Sequence, residues 1–291
     1  MILMSALQTL SELLTTISSV WRRSLRVVAD GHPSLQLRVH LTAPHARAKT
    51  REGIRSLGIV SALVANYRKK LNRNSYGQLY ESRPYLEAYA AHTDHRVLKD
   101  AHAAVGGKWD ALGRLQFDYL VANGLKPDSK LLDLGCGTLR GGRHFIRYLN
   151  TRNYTGTDIS WRAIDYAHHL VMEENLAAKE PSLIYRRPGD AFFADLEDAC
   201  FDFVLAHSVF THLPPEFVEE CFAAVGRVMR PSGMLFFTFQ HEAEHRRRDL
   251  KDFAYPSRLF ADLADRYDFL FETRNDYNHP RGQTMALLRH R

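Results

Sequence analysis

Two hydrophobic patterns divide the chain, and they change over near residue 95. Beyond that point, short apolar runs alternate with amphipathic stretches of helical period. The spacing predicts a helix from Leu112 to Asn123, ended by Gly124, and Leu131-Leu132 reads as the end of a buried strand. Strands follow at Tyr154–Thr157, Leu183–Arg186, Phe203–Ala206 and Met234–Phe239, with helices over 161–177, 215–229 and 257–266 among them. Such alternation predicts an α/β fold with a doubly wound, mostly parallel sheet covered on both faces. The last two runs, Phe269–Thr273 and Thr284–Leu288, have only the turn Asn278-His279-Pro280-Arg281-Gly282 between them. That is too short for a crossover, so the final strand must pair antiparallel.

Ahead of residue 95 the pattern is mainly helical. Leu7, Leu10, Leu14, Ile17 and Trp21 form one apolar stripe, and Ile54, Leu57, Val60, Leu63, Val64 and Tyr67 form another, closed by Arg68-Lys69-Lys70. Residues 30–52, with Gly31, Pro33 and Pro44, read as a linker holding one short strand, Leu35 to Leu41. The expected organisation is therefore an N-terminal extension, 1–95, and a second domain, 96–291. The net charge of +6 belongs to the front: residues 1–94 carry thirteen Lys/Arg against six Asp/Glu, and the rest carry twenty-six against twenty-seven. A basic segment can bind anionic lipid or nucleic acid, or be a solvated helical surface. The first stripe has a Ser/Thr-rich polar face, so packing on the protein's own core or a second subunit competes with peripheral membrane contact.

Three widely spaced cysteines, Cys136, Cys200 and Cys221, give neither a disulfide framework nor a zinc pattern, so a reducing cytoplasm is expected. No run reaches the eighteen or so apolar residues of a membrane span, and the N-terminus lacks the basic start of a secretory signal.

The candidate chemistry begins at residues 130–142, Lys-Leu-Leu-Asp-Leu-Gly-Cys-Gly-Thr-Leu-Arg-Gly-Gly. A strand, a glycine turn and a helix start make a cradle, because glycine lets the backbone approach a ligand and the helix end offers free N–H groups. Asp133, two residues before the first glycine, would repel a pyrophosphate and suits a ligand with a cationic amine. Asp158 stands twenty-one residues beyond Gly137, at the end of the next strand, where a carboxylate can accept both hydroxyls of a ribose. It could instead cap the helix over 161–177, although Ser160 is better placed for that. Asp190, after the third strand, can accept from an adenine amino group, with the backbone at Ala191 serving a ring nitrogen.

Asp133-Leu134-Gly135-Cys136-Gly137, Asp158, Asp190, the segment Ser208-Val209-Phe210-Thr211-His212-Leu213 and the turn Arg230-Pro231-Ser232-Gly233 occur in one order. The set resembles the class I S-adenosylmethionine-dependent methyltransferases, over roughly residues 100–291. The resemblance implies a Rossmann-like seven-stranded sheet with the last strand antiparallel, and S-adenosylmethionine as cofactor. It implies a cofactor-binding set of Asp133, Gly135, Cys136, Gly137, Asp158, Ile159, Asp190, Ala191 and His207. Leu139-Arg140 stand where a third glycine is common, so Arg140 and nearby Arg143 are candidate readers of an acidic substrate. Trp109, in the helix expected to cover the cofactor, is a third substrate candidate.

Methyl transfer needs alignment and, for a protonated nucleophile, a base. His212 is the candidate, set against a structural role beside Pro214-Pro215. His241-Glu242-Ala243-Glu244-His245 matches the zinc-protease pattern, but it follows a strand directly and runs into Arg246-Arg247-Arg248. A charged loop beside the substrate entrance is the expectation there, with no metal. The near-neutral catalytic part and the absence of an Asn/Asp-Pro-Pro-aromatic signature argue against DNA as partner. A hydroxyl or amine of a small molecule or glycan is the expected acceptor. The alternatives are a protein or RNA held by the basic N-terminal region, and a methyltransferase-like protein that binds without catalysis.

Overall fold

The computed structural model describes residues 25–28, 38–41 and 76–291. The chain divides into two compact units, residues 1–68 and 69–291. In the first, β1 (Leu25–Val28) pairs antiparallel with β2 (Arg38–Leu41), so part of the strand expected at 35–41 is present. The helical stripes expected at 7–21 and 54–67 lie outside the described residues.

The second unit is built on one sheet. Its strands are β3 (Leu131–Leu134), β4 (Tyr154–Asp158), β5 (Ser182–Tyr185), β6 (Phe201–Ala206), β7 (Met229–Phe239), β10 (Phe269–Arg274) and β11 (Thr284–His290), in the order β10-β11-β7-β6-β3-β4-β5. Five are linked by parallel pairings, while β11 runs antiparallel to β7 on one side and to β10 on the other. The antiparallel last strand is thus inserted inside the sheet rather than added at its edge.

Period-two alternation sends neighbouring side chains to opposite faces. Leu132, Val204, Leu235 and Phe237 join the core under the helices α6 (Pro215–Val228) and α7 (Ser257–Arg266). Leu131, Phe203, Leu205 and Phe236 join the opposite core, under α3 (Trp109–Ala122), α4 (Gly142–Tyr148) and α5 (Trp161–Glu173). Each buried Leu or Phe side chain contributes about 1.5–3 kcal/mol relative to exposure. Both layers are therefore fixed by one short central strand, β3, whose four residues are all buried.

Boundaries differ from the sequence pattern in places with local causes. Helix α5 starts where Ser160 Oγ accepts the N–H of Ala163 at 3.1 Å, and it ends at Glu173 because Asn175 takes a positive φ. Helix α3 begins at Trp109, just after Lys108 in left-handed conformation. Ahead of it lie a helical segment, 76–82, then α1 (Tyr85–Lys99) and α2 (Ala101–Ala104), the last started by the Asp100 carboxylate accepting Ala103 N–H. Helix α1 runs across residue 95. A small hairpin, β8 (Arg246–Arg247) with β9 (Phe253–Ala254), follows β7.

From β3 the chain winds outward through β4 and β5, then returns to β6 on the other side of β3. Loops leaving the carboxyl ends of β3 and β6 diverge at that switch point, and ligands of open α/β sheets bind in the crevice so formed.

Candidate active site

A cleft of about 890 Å³ opens at this crevice. Small-molecule sites are commonly roughly 300–1,000 Å³. One wall comes from the loops after β3, β4 and β5, the other from α1, the segment after β6 and the stretch between β7 and β9.

The first wall holds the three acids. Gly135 and Gly137 take φ of +70° and +56°, and a Cβ on Gly137 would stand 2.7 Å from a Val105 methyl group. The turn is tied to the next strand by Asp158, whose Oδ2 accepts Gly137 N–H and whose Oδ1 accepts Ser160 N–H, both at 2.8 Å. Asp158 therefore positions the glycine turn as well as facing the cleft. Asp133 is buried and accepts the Tyr154 hydroxyl at 2.8 Å. Burial pushes its carboxyl up to about 7, opposed by that hydrogen bond, and burial likewise lifts Asp158 to about 6. Asp190 closes its own turn by accepting Arg187 N–H at 2.9 Å and lines the same cleft.

Cys136 and Ile159 line the cleft too, but Ala191 does not. Phe192 takes the wall position after Asp190, because the Ala191 carbonyl turns away to accept from Arg186 at 3.3 Å. Gly141-Gly142, in place of a third turn glycine, let α4 start in close packing: a Cβ on Gly142 would sit 2.4 Å from the Tyr154 hydroxyl oxygen.

The arginines of the turn do other work than expected. Arg140 is buried and donates to the carbonyls of Val105 and Gly107, which straps the loop before α3 over the glycine turn. Its other amino group is 3.4 Å from His207 Nδ1, and His207 Nε2 meets the Tyr277 hydroxyl at 2.9 Å. Burial and the Arg140 charge drive His207 well below its ordinary value, so it is neutral and serves as a strut at the cleft floor. Arg143 lies outside the cleft. It ion-pairs with Asp110 and with Glu174 and lies 5.5 Å over the Trp109 ring, and Trp109 in turn stacks on His102 at 3.8 Å. Neither Arg143 nor Trp109 reaches a position from which to read a substrate, because α4 and α3 present these side chains to each other.

His212 sits on the second wall, in a short helical turn, Phe210–His212. Its Nδ1 is 2.9 Å from the Lys251 carbonyl, 3.1 Å from Asp252 Oδ1 and 3.5 Å from Lys251 Nζ. Two acceptors closer than one donor assign the ring proton to Nδ1. Nε2, which has no partner among the described residues, is then the basic nitrogen. Burial first, and the Lys251 charge second, lower the His212 value, with Asp252 opposing them. Tyr89 of α1 packs 5.5 Å from the imidazole, and the Tyr85 hydroxyl donates to the His212 carbonyl at 2.7 Å.

Tyr89, Arg96, Lys251 and Asp252 were not singled out in the sequence. The signal available was the Lys251-Asp252 pair directly before the apolar run Phe253-Ala254-Tyr255. The His241-to-His245 stretch is not helical. His241 bridges to Tyr255, His245 Nδ1 meets the Ala254 carbonyl at 3.1 Å, and Glu242 is occupied by Arg246 and Arg248. No group of metal-ligating side chains forms among the described residues.

The first wall suits S-adenosylmethionine. Asp133 is a buried carboxylate with one hydroxyl partner, Asp158 keeps lone pairs beyond the N–H groups it accepts, and the turn between them has no room for Cβ atoms.

Residues 132–237 match a protein family described as a methyltransferase domain. A sterol 24-C-methyltransferase of Schizosaccharomyces pombe is 28% identical over 111 residues, covering 38% of this chain and 28% of that protein. Another, of Gibberella zeae, is 28% identical over 132 residues, covering 45% and 33%. The chain thus spans about a third of the length of these curated relatives. Among solved structures, the [4+2]-cyclase SpnF superposes with a TM-score of 0.54 at 16% identity, covering 70% of this chain and 96% of that one. An S-adenosylmethionine-dependent methyltransferase of Leishmania major gives 0.52 at 12% identity, covering 73% and 81%. At such identities the structural likeness speaks for the fold alone.

Proposed function

We propose that the chain, whose residues 132–237 match a methyltransferase domain, is a class I S-adenosylmethionine-dependent methyltransferase that methylates a hydroxyl or amine of a small molecule or glycan. The observation that carries this reading is the continuity of one cleft from the three acids to His212. S-adenosylmethionine supplies a methyl group on a positively charged sulfur, with a neutral thioether as leaving group.

In this reading Asp133 holds the methionine amine, Asp158 the ribose hydroxyls and Asp190 the adenine edge. Gly135, Cys136, Gly137 and Ile159 form the walls of the cradle, and His207 supports its floor. His212 Nε2 removes the proton as the acceptor's oxygen or nitrogen bonds to the methyl carbon, while the carbon–sulfur electron pair leaves on sulfur. The imidazolium charge that develops is stabilised by Asp252, 3.1 Å from Nδ1. Leu86, Tyr89 and Arg96 of α1 line the cleft, so we include that helix in the catalytic domain although it straddles residue 95.

The named activity of the two fungal relatives involves a sterol, which supports a small-molecule acceptor. Three cysteines, all free, support a reducing, cytoplasmic setting, and no described helix is long and apolar enough to cross a membrane. The test is transfer of label from methyl-tritiated S-adenosylmethionine to a cell extract, followed by separation of small molecules, glycans, protein and RNA. Label in the first two classes is expected, and label confined to protein or RNA would overturn the acceptor assignment.

A further inference from the structure

The acceptor wall carries more positive charge than the cofactor requires. Nine Lys/Arg line the cleft against five Asp, and three of those five are the acids assigned to the cofactor. On the acceptor wall stand Arg96, Arg246, Arg247, Arg248 and Lys251, facing Asp249 and Asp252. Arg246 and Arg248 are both taken by Glu242, at 3.0 Å each. Arg96 and Arg247 are not: among the described residues their guanidinium groups donate only to backbone carbonyls, of Ala103 for the first and of Asp249 and Leu250 for the second.

The placement of these cations is directional. Tyr85 and Tyr89 stack on one face of α1, with ring centres 6.3 Å apart and planes 11° from parallel. Arg247 lies among three rings, 5.6 Å over Phe253, 5.7 Å over Tyr85 and 5.9 Å over Tyr80, and Lys251 lies 5.9 Å over Tyr89, so two cations are ranged along an aromatic platform. That platform ends at the His212 imidazole, 5.5 Å from Tyr89. The carbonyls of Asp249 and Leu250 fix the Arg247 Nε and one Nη, which leaves the other Nη without a partner among the described residues. Lys251 is largely buried, with 17% of its side chain exposed, and shares Asp252 with His212 rather than owning it.

The largely buried Lys251 ammonium attracts an anion strongly because the dielectric around it is low, and Arg247, exposed at the cleft rim, adds an oriented guanidinium that can pair with an anion through two N–H groups. We propose that the acceptor carries an anionic group, a carboxylate or phosphate, held by Arg247 and Lys251 next to the nucleophile that His212 deprotonates. This deepens the methyl-transfer reading and rests on it. It also shifts acidic-substrate recognition from the glycine turn, where Arg143 lies outside the cleft and both Arg140 amino groups are engaged by Val105, Gly107 and His207, to the hairpin after β7. Burial pushes the Lys251 amine downward and the Arg96 charge adds to that, while Asp252 opposes them, and an arriving anion would act in the same sense as Asp252.

Two measurements test the proposal. First, protein saturated with S-adenosylhomocysteine is titrated with inorganic phosphate and with acetate by calorimetry, as wild type, Arg247→Ala and Arg247→Lys. Wild type should bind at least one of the two anions, Arg247→Ala should weaken that binding at least tenfold, and Arg247→Lys should recover part of it. S-adenosylhomocysteine affinity should stay unchanged throughout, which separates anion binding from damage to the fold. Equal anion binding by wild type and Arg247→Ala, or none by wild type, would overturn the proposal.

Second, the tritiated product made in cell extract is freed of unreacted cofactor on cation exchange and passed over an anion exchanger, with and without alkaline phosphatase. Retained label supports the proposal, with phosphatase sensitivity marking a phosphate and resistance a carboxylate. Label in the flow-through overturns the anionic acceptor and leaves methyl transfer standing. Label in no fraction, above an enzyme-free control, overturns the methyl-transfer reading and this one with it.

Discussion

The carboxylate of Asp252 lies 3.1 Å from Nδ1 of His212, across a chain separation of forty residues. With the Lys251 carbonyl it fixes the ring tautomer and leaves Nε2 basic. Asp252→Asn removes the charge that raises the His212 value and weakens stabilisation of the imidazolium. The turnover number should fall by about a hundredfold or less, the low end of the roughly 10²–10⁴-fold that a general base contributes, because the base itself remains. The acid limb of the pH–rate profile should move to lower pH, because Asp252 opposes the downward pull of burial and Lys251. S-adenosylmethionine affinity, measured separately, should not change. An unchanged profile would leave Asp252 only a packing role.

Asp158 has a double duty, and its removal should show both parts. Asp158→Ala deletes the acceptor of the Gly137 and Ser160 N–H groups along with the ribose contact. Calorimetry should find cofactor binding weakened at least tenfold, which is about 1.4 kcal/mol. Binding within twofold of wild type would rule out the ribose role.

Asp133 links cofactor binding to pH. Its folded value, about 7, lies above the ordinary carboxylate value of 3.8, so the folded chain holds that proton more tightly than the unfolded chain. Stability from this group is present at low pH and is lost as pH climbs from about 4 to about 7. Asp133→Asn, which can still accept the Tyr154 hydroxyl, should therefore raise the melting temperature at pH 8 and much less at pH 5. A domain of this size gains about 2–4 °C for each kcal/mol. The same variant should bind S-adenosylmethionine at least tenfold more weakly. Wild-type affinity should tighten from pH 6 to pH 8 as the carboxylate ionises. A melting curve unaffected at both pH values would contradict the assignment.

The pairing of His241 with Tyr255 and of β8 with β9 predicts that chelation is without effect. Prolonged treatment with a zinc chelator should leave the melting temperature and cofactor affinity as they were. A fall in either would restore the His-Glu-x-x-His stretch as a metal site.

What the chain reveals in one dimension depends on how local the cause is. That Asp133, Asp158 and Asp190 line one cleft was legible because each lies at or beyond the carboxyl end of a strand, and these strand ends share one edge of a parallel sheet. The antiparallel β11 was legible because the short connection between Arg274 and Thr284 cannot cross a sheet. Its insertion between β7 and β10 was not, since strand order is a matter of long-range pairing. Arg140 and Arg143 lie close in sequence to the cleft, yet their direction is set by carbonyls at Val105 and Gly107 and by Glu174, which no spacing rule conveys. Tyr89, Lys251 and Asp252 come from helix α1 and from the hairpin after β7, segments with no shared periodicity. Only the fold brings them to His212.

The most direct measurement is the initial rate of tritiated-methyl transfer from S-adenosylmethionine to the small-molecule fraction of an extract, by wild type and by His212→Ala, with cofactor affinity determined in parallel. Clear transfer by wild type is expected, with a loss of about a hundredfold or more in His212→Ala and cofactor affinity retained. Transfer at the wild-type rate by His212→Ala, or no transfer by wild type, would contradict methyl transfer with His212 as the base.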